Sequence, residues 1–410
     1  MTATLTIDIP AGEDFLSREE LDSLTPAILR QRLEALKPLI AERARSVEEN
    51  RRPDPEVWAA LRKTGVFYMF IPKALGGLEM TFEDLVDVIL PVAEACASTA
   101  WATCFSIEHN LMFLRAFPAE TVRRVYEKTP YIIAPGAQSP PATVRPVEGG
   151  YVIDAHWKWG SGVMNSDWVM GSGLLHKEDG PPETLLMLLP SRDVTVLDAW
   201  YMQGMAGTGS NDMVVKDYFI PDECVSSGPR GAGGVGPIEP EFASPLTDIP
   251  FNTVVALTTM LPALGAAREA VTLFQGRLEG RKVTGTSRAY RDREAQHIRL
   301  GKAETLVGAA EVLVRQASQA MWEAARAGST GLEVRTPIRS RIMYALELCR
   351  EAVSSLVLAS GASVHALDCP MQRYLRDIHV ISNHGLYDAD LVYEQRGRIL
   401  LGFEPSDIFS

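Results

Sequence analysis

Helical periodicity stops near Thr129 and resumes near Phe251, and this interruption constrains the fold more than any single motif. Before it, "AILRQRLEALKPLIAERARSVEENR" repeats apolar residues at three- and four-residue spacing until Pro53. "DPEVWAALRKTG" reads as a short helix with Gly65 just past its end. "TFEDLVDVILPVAEACA" opens with Thr81, Glu83 and Asp84, residue types that favour a first helical turn. Within the interruption, "YIIAPGAQ", "GYVIDAHWKWGSG", "DWVMGSGLLH", "ETLLMLLP" and "MVVKDYFIP" are short and rich in β-branched and aromatic residues. They predict a compact antiparallel β domain. "SSGPRGAGGVGPIEPEFASPLTDIP" has no periodicity and reads as a long surface loop. After it come four amphipathic helical segments, separated near Gly285, Gly331 and Asp368, which suggest a bundle. The expected class is therefore α+β, mainly α. Its parts are an N-terminal helical domain (1–128), a middle antiparallel β domain (129–225), a surface or active-site loop (226–250) and a C-terminal four-helix bundle (251–410).

Charge and cysteine usage narrow the function classes. The formal net charge of −12 gives no surface suited to tracking phosphates, so neither nucleic acid nor an anionic membrane is an expected partner. "MTATLTIDIPAGEDFL" lacks a basic start and a long apolar run, so no signal peptide is expected. The most apolar window, "VVALTTMLPALGAA", contains Pro262 and reads as too short for a membrane span. Five scattered cysteines form no CxxC pair, and no HxxxH or HExxH occurs, so no metal site is expected. A reducing cytoplasm fits this usage.

Most recognisable motifs have an ordinary reading. Gly231, Gly233 and Gly236 spell GxGxxG, yet no strand pattern precedes them and no helix follows, so the dinucleotide reading fails on context. "GMAGTGSND" reads either as a turn with positive φ or as a backbone loop beside a cofactor. "WKWGSG" places Trp157 and Trp159 on one face of a strand, followed by Ser161 between glycines. Core packing accounts for the tryptophans. A flavin would also use this pattern, as an apolar wall with a polar group at the ring edge. His109 lies on a mostly apolar helix, where an isolated histidine is ordinarily a core residue. "RDIHVISNHGLYDADL" offers His379, His384, Tyr387 and Asp388 on what reads as the last long helix.

Taken in order, "PKALGGLEMTFEDLVDVI", "ACASTAWA", "WKWGSG", "MAGTGSNDMVVKDYFIP" and "MQRYLRD" resemble the acyl-CoA dehydrogenase fold from about residue 30 onward. Many members of that family carry a Glu-Gly-Thr whose glutamate removes the substrate α-proton; this chain has His384-Gly-Leu there. The shared segments "GGLEM", "VEGG", "QRYLRD", "NHGLYDAD" and "GRILLGFEPSD" are more similar to the oxygenase components of two-component flavin-dependent monooxygenases, the p-hydroxyphenylacetate 3-hydroxylase group. That resemblance implies reduced FMN or FAD supplied by a separate NAD(P)H:flavin reductase, with O₂ as co-substrate. It implies hydroxylation of a small phenol through a C4a-hydroperoxyflavin, in a homotetramer. Alternatives on the same scaffold are an acyl-CoA dehydrogenase oxidising a thioester and an N- or S-oxygenating monooxygenase.

The resemblance also implies roles for individual residues. His109 is the substrate-side histidine, holding the phenol hydroxyl. His384 donates to the oxygen carried at the flavin C4a position. Trp159, Ser161, Gly162, Arg281 and Gly361 join His384 as cofactor contacts, Arg281 meeting the phosphate. Ser139 stands near a family serine only after a local shift, and Tyr387 is a further substrate-side candidate. Asp388, one helical turn beyond His384, reads either as the group that orients its imidazole or as a solvated surface carboxylate.

Overall fold

The computed structural model describes residues 15–177, 180–226, 238–283 and 285–404. The Gly231–Gly236 motif, the N-terminal stretch judged for a signal peptide and the last residues of the tail lie outside them.

Six helices open the chain: α1 (Arg18–Asp22), α2 (Pro26–Asn50), α3 (Pro55–Thr64), α4 (Phe82–Ala95), α5 (Ala97–Ala116) and α6 (Ala119–Tyr126). Local chemistry sets their starts. Thr25 and Asp54 cap α2 and α3, each followed by a proline at the first helical position. Thr81 and Asp84 form a capping box at α4. Helix α5 is buried on every side, with Phe105 its one partly exposed residue. A helix enclosed in this way runs through the interior, and this one carries the site.

The middle of the chain forms one seven-stranded sheet: β1 (Gly136–Val147), β2 (Gly150–Gly160), β3 (Trp168–Leu175), β4 (Glu183–Pro190), β5 (Thr195–Leu197), β6 (Asn211–Pro221) and β7 (Val225–Ser226). The order is β5-β6-β2-β1-β3-β4-β7. The expectation of a purely antiparallel domain is corrected here, because β1 and β3 pair in parallel. Strand β2 returns antiparallel along the second half of β1. The chain then crosses to the other edge of β1 through a single 3-10 turn, Val163–Asn165, and must run in the same direction as β1.

The two tryptophans of "WKWGSG" do not share a face. Trp157 is fully buried and its indole covers Gly171, where a Cβ would lie 2.2 Å from the ring. Its Nε1 donates to the Ser172 carbonyl at 2.8 Å. The β2–β6 register breaks between Trp157 and Gly160, Trp159 adopts φ +63°, and its side chain turns outward at 65 % exposure. Alternation holds only while the register is regular, and here it shifts before Gly160 pairs again with Asn211.

The segment 226–250 is not simply a surface loop. Among its described residues, Pro240–Phe242 forms a 3-10 turn and α7 (Pro245–Asp248) a short helix, with Phe242, Leu246 and Ile249 buried. Three long helices follow: α8 (Phe251–Leu278), α9 (Glu294–Arg326) and α10 (Leu332–Ala359). Helix α8 continues through Pro262 for 28 residues and is apolar enough to span a membrane by length and composition. The helix is longer than its most apolar window alone suggests. Its most apolar stretch is 83 % buried, against α4, α5 and α10. The fourth segment is two helices, α11 (Pro370–Ile381) and α12 (Ala389–Leu400). The first and last thirds of the chain share one apolar core, and the sheet keeps a second, smaller one.

Candidate active site

Trp101, Phe105 and His109 recur every fourth residue along α5, so their side chains stack on one face. Ring centroids are 5.2 Å apart for Trp101 and Phe105 and 4.9 Å for Phe105 and His109. His384 closes the row at the Trp101 end, 5.4 Å away and edge-on, and Phe251 closes it at the His109 end, 6.0 Å away. The result is an aromatic wall with an imidazole near each end.

His109 Nδ1 lies 2.6 Å from the Ala134 carbonyl oxygen. A carbonyl carries no proton, so Nδ1 donates and Nε2 presents a lone pair. Burial lowers the imidazole to about 4, with the Ala134 contact pulling the other way, so the ring is neutral at physiological pH. Asn110 fixes this arrangement one residue later. Its amide accepts from the Ile132 N–H at 2.9 Å and donates to the Ile132 carbonyl at 3.2 Å, holding the segment that carries Ala134. Gly136 faces the other side of the ring, where a Cβ would stand 3.3 Å from Nε2.

His384 occupies a different local structure. It caps a 3-10 turn, Gly385–Tyr387, and its Nδ1 accepts from the Leu386 N–H at 3.4 Å. The proton therefore sits on Nε2, which becomes a donor. Burial, aided by the nearby Arg339 cation, lowers this imidazole to about 4 as well. Arg339 donates to the Leu386 carbonyl at 2.8 Å and pins the same turn.

Three assignments around His384 need correction. The "last long helix" breaks between Ile381 and Ala389, so Asp388 is not one helical turn from His384 on a shared face. Asp388 instead caps α12, accepting from the Leu391 N–H at 3.1 Å, and is exposed. Tyr387 is buried, with its hydroxyl 2.7 Å from both Thr259 Oγ1 and the Ala256 carbonyl. It anchors the turn to α8, with its proton donated to the Ala256 carbonyl. Ser139 is exposed, and no contact joins it to either histidine among the described residues.

Ser161 reaches the wall directly. Trp101 Nε1 donates to its Oγ at 3.2 Å, and its Oγ lies 2.8 Å from Ser210 Oγ. Ser210 in turn lies 2.7 Å from Thr208 Oγ1. The loop carrying these residues is held by the buried Asp377, whose carboxylate accepts from the Met205 N–H at 2.6 Å. Gly162, at φ +80°, has open space where a Cβ would project. Beside it Trp159 offers an exposed indole. Arg281 and Gly361 lie together at another corner, where Arg281 donates to the Ser360 carbonyl at 2.8 Å and stacks over Tyr290 at 4.7 Å. A Cβ on Gly361 would stand 3.5 Å from Arg281 Nη2. Among the described residues no contact joins this corner to the aromatic wall. The open space at Gly162 and the Ser161 hydroxyl beside Trp101 are the kind of groups a flavin ring edge uses.

Sequence reasoning did not single out Phe105, Asn110, Ser210 or Glu108. Glu108 is wholly buried next to His109, accepts from Thr258 Oγ1 of α8, and leaves Oε1 without a partner. Burial raises its carboxyl to about 8, against the Thr258 hydrogen bond. The repeat of Trp101, Phe105 and His109 was the available signal.

A helix–sheet–helix chain with an aromatic wall beside a hydroxyl-lined turn defines a flavoenzyme of acyl-CoA dehydrogenase architecture. The family descriptions "Acyl-CoA dehydrogenase, N-terminal domain" and "Acyl-CoA dehydrogenase, C-terminal domain" match residues 29–126 and 257–389. A "pigment production hydroxylase" of a Rhodococcus species is 32% identical over 384 residues, covering 94% of this chain and 99% of the relative. The oxygenase component of p-hydroxyphenylacetate 3-hydroxylase from Acinetobacter baumannii is 27% identical, covering 92% and 89%. Among solved structures, "XiaF from Streptomyces sp. in complex with FADH2 and Glycerol" superposes with a TM-score of 0.86 at 26% identity, over 95% of this chain and 98% of that one. The chain belongs to the acyl-CoA dehydrogenase family, within its branch of flavin-dependent monooxygenase oxygenase components.

Proposed function

We propose that this chain is the oxygenase component of a two-component flavin-dependent monooxygenase that hydroxylates a small phenol-like aromatic substrate. The observation that carries the reading is two imidazoles on one aromatic wall, one with Nδ1 against a carbonyl and the other with Nδ1 against a backbone N–H. Reduced FMN or FAD, delivered by a separate NAD(P)H:flavin reductase, supplies the capture of O₂ and the transfer of one oxygen atom.

The chain's own residues supply position and protons. His109 Nε2 accepts a hydrogen bond from the substrate hydroxyl and orients the ring for attack beside that hydroxyl. With its basicity lowered by burial, it polarises the O–H bond without carrying a charge of its own. His384 Nε2–H would offer a hydrogen-bond donor toward the reacting edge of a bound flavin, and its neutrality keeps a positive charge out of a dry site. Trp101, Phe105 and Phe251 exclude water along the wall. Ser161, Gly162 and Trp159 would back the ring of a bound flavin, and Arg281 with Gly361 would meet its phosphate. The aromatic wall also argues against thioester oxidation: Glu108, the carboxyl that α5 carries beside His109, is fully enclosed and turned toward α8.

The proposed assembly is a homotetramer. Leu358 and Leu400 on the C-terminal helices, and Leu367 and Leu401 in the turns beside them, are each about two-thirds exposed or more, surface that further copies would cover. Light scattering on the purified protein reads the assembly directly.

The functional test supplies photoreduced flavin, O₂ and a panel of phenols to the colourless protein. A product enlarged by one oxygen atom, with no NAD(P)H needed once flavin is reduced, is the expected result. A protein that purifies yellow and bleaches with an acyl-CoA thioester, or that oxygenates none of the phenols, sinks the reading.

A further inference from the structure

A small cavity borders the turn that follows His384. Its volume is about 20 Å³, and its walls include Arg335, Thr336 and Arg339 of α10, Thr253 of α8, Gly385 of the turn and Leu391 of α12. That is room for one group about the size of a water molecule.

The polar walls are suited to something other than water. Arg335 and Arg339 stand four residues apart on α10, so two like charges border the same space. Such a spacing is repulsive on a helix. Burial pushes both guanidiniums below their ordinary value, and the charge of Arg335 pushes Arg339 down further. Arg339 makes no ion pair among the described residues. It donates to the Leu386 carbonyl at 2.8 Å, and a carbonyl accepts without cancelling the charge. A desolvated cation beside a second cation is costly until a negative charge joins them.

Thr336 adds a second, independent sign. It is only 4 % exposed, yet its Oγ1 has no hydrogen-bond partner among the described residues. A threonine inside a helix can return its proton to a carbonyl one turn back. This hydroxyl does not, and it borders the same cavity. A water molecule would satisfy the hydroxyl and leave both charges uncompensated. A small anion satisfies all of them, because it accepts hydrogen bonds and carries the missing charge.

We propose that this cavity binds one small monovalent anion, a halide or a single carboxylate group, held by Arg335, Arg339 and the Thr336 hydroxyl. Arg339 also holds the Leu386 carbonyl, so the anion and the turn after His384 share one guanidinium. Occupancy of the cavity thereby braces the segment that carries His384. The binding itself does not depend on the reaction proposed above.

The test is titration of the purified protein with sodium chloride, without flavin or substrate, read by chlorine NMR line broadening and by melting temperature. Wild type should broaden the chloride line, and added sodium formate should narrow it again by taking the same place. The melting temperature should rise along a saturating curve. Thr336→Val keeps the side-chain volume and breaks no hydrogen bond of its hydroxyl, so the variant should fold as wild type does. It should bind chloride about tenfold more weakly, the worth of one hydrogen bond to a charged group. Arg339→Gln should abolish both signals. If that variant does not fold, Thr336→Val decides alone. A chloride line that wild type leaves narrow overturns the proposal. So does broadening that is the same in wild type and Thr336→Val, since the ions are then held elsewhere on the surface.

Discussion

His109 and His384 lie at opposite ends of one row of rings, and different local structures built them. His109 rides in the interior of α5, tied to a carbonyl at 2.6 Å. His384 sits on a single 3-10 turn, facing an N–H at 3.4 Å. Burial does the same thing to both, holding each imidazole near 4 and therefore uncharged. The backbone partner does the opposite at each end. A carbonyl at Nδ1 turns Nε2 into an acceptor, and an N–H at Nδ1 turns it into a donor. One residue type thus supplies both halves of a polar site without placing a charge in it.

Removing the acceptor end should have the largest effect. His109→Ala is expected to lower product formation by roughly 10²–10⁴, the usual worth of a positioned acid or base group. Oxidation of reduced flavin should continue, with hydrogen peroxide replacing product. A variant that hydroxylates within a few-fold of wild type would remove His109 from the reaction. The donor end should respond differently. For His384→Ala, we expect peroxide release to rise and product per reduced flavin to fall by about tenfold, the loss of one hydrogen bond in a dry site. An unchanged ratio would erase the distinction between the two ends.

Stability sharpens the comparison at the acceptor end, where neighbours in sequence titrate in opposite senses. The His109 imidazole is depressed below its ordinary 6.5, so the unfolded chain takes up protons first as pH falls. Stability is lost from about pH 6.5 down to about 4, by roughly 3 kcal/mol. The Glu108 carboxyl is raised from 4.5 to about 8, so the native state retains a proton that the unfolded chain gives up. Its penalty grows as pH rises from 4.5 to 8. Glu108→Gln should therefore stabilise the protein at pH 8, by roughly 2–4 kcal/mol, and change little at pH 4.5. Equal gains at both pH values in thermal melts would show that Glu108 does not hold a proton in the native state. The smallest effect belongs to Asp388. Its loss in Asp388→Ala should cost about 1 kcal/mol of helix capping and leave the ratio of product to peroxide unchanged. A ratio shifted toward that of His384→Ala would restore Asp388 as an orienting group.

Much of this architecture could be read from periodicity, because helices and strands announce themselves within a dozen residues. The alternation of helical and strand texture separated α6 from β1 and β7 from α8. His384 was found because it stands where the superfamily keeps a carboxylate. The errors have a common cause. Asp388 and Tyr387 were placed by assuming an unbroken helix, and Gly385 offered only a weak sign of the break. Trp159 was placed by strand alternation, which failed where the register with β6 shifts between Trp157 and Gly160. The contacts that define the site join residues far apart in sequence. Ser161 meets Ser210 across 49 positions and Trp101 across 60. No local pattern encodes such pairs. The Trp101–Phe105–His109 repeat was local, but on an apolar helix it looks like core.

The enclosure of α5 has a consequence for how the protein is made. This helix has no solvent face, and one of its main neighbours is α8, which lies beyond the whole β domain in the chain. During synthesis at roughly 5–20 residues per second, the sheet can close on its own small core first. The helix that carries His109 can pack on α4 early, but the apolar face that α8 covers stays exposed until α8 has left the ribosome. The nascent chain is therefore most exposed to aggregation midway through translation, and a chaperone that shields α5 during that interval should raise the yield of active protein.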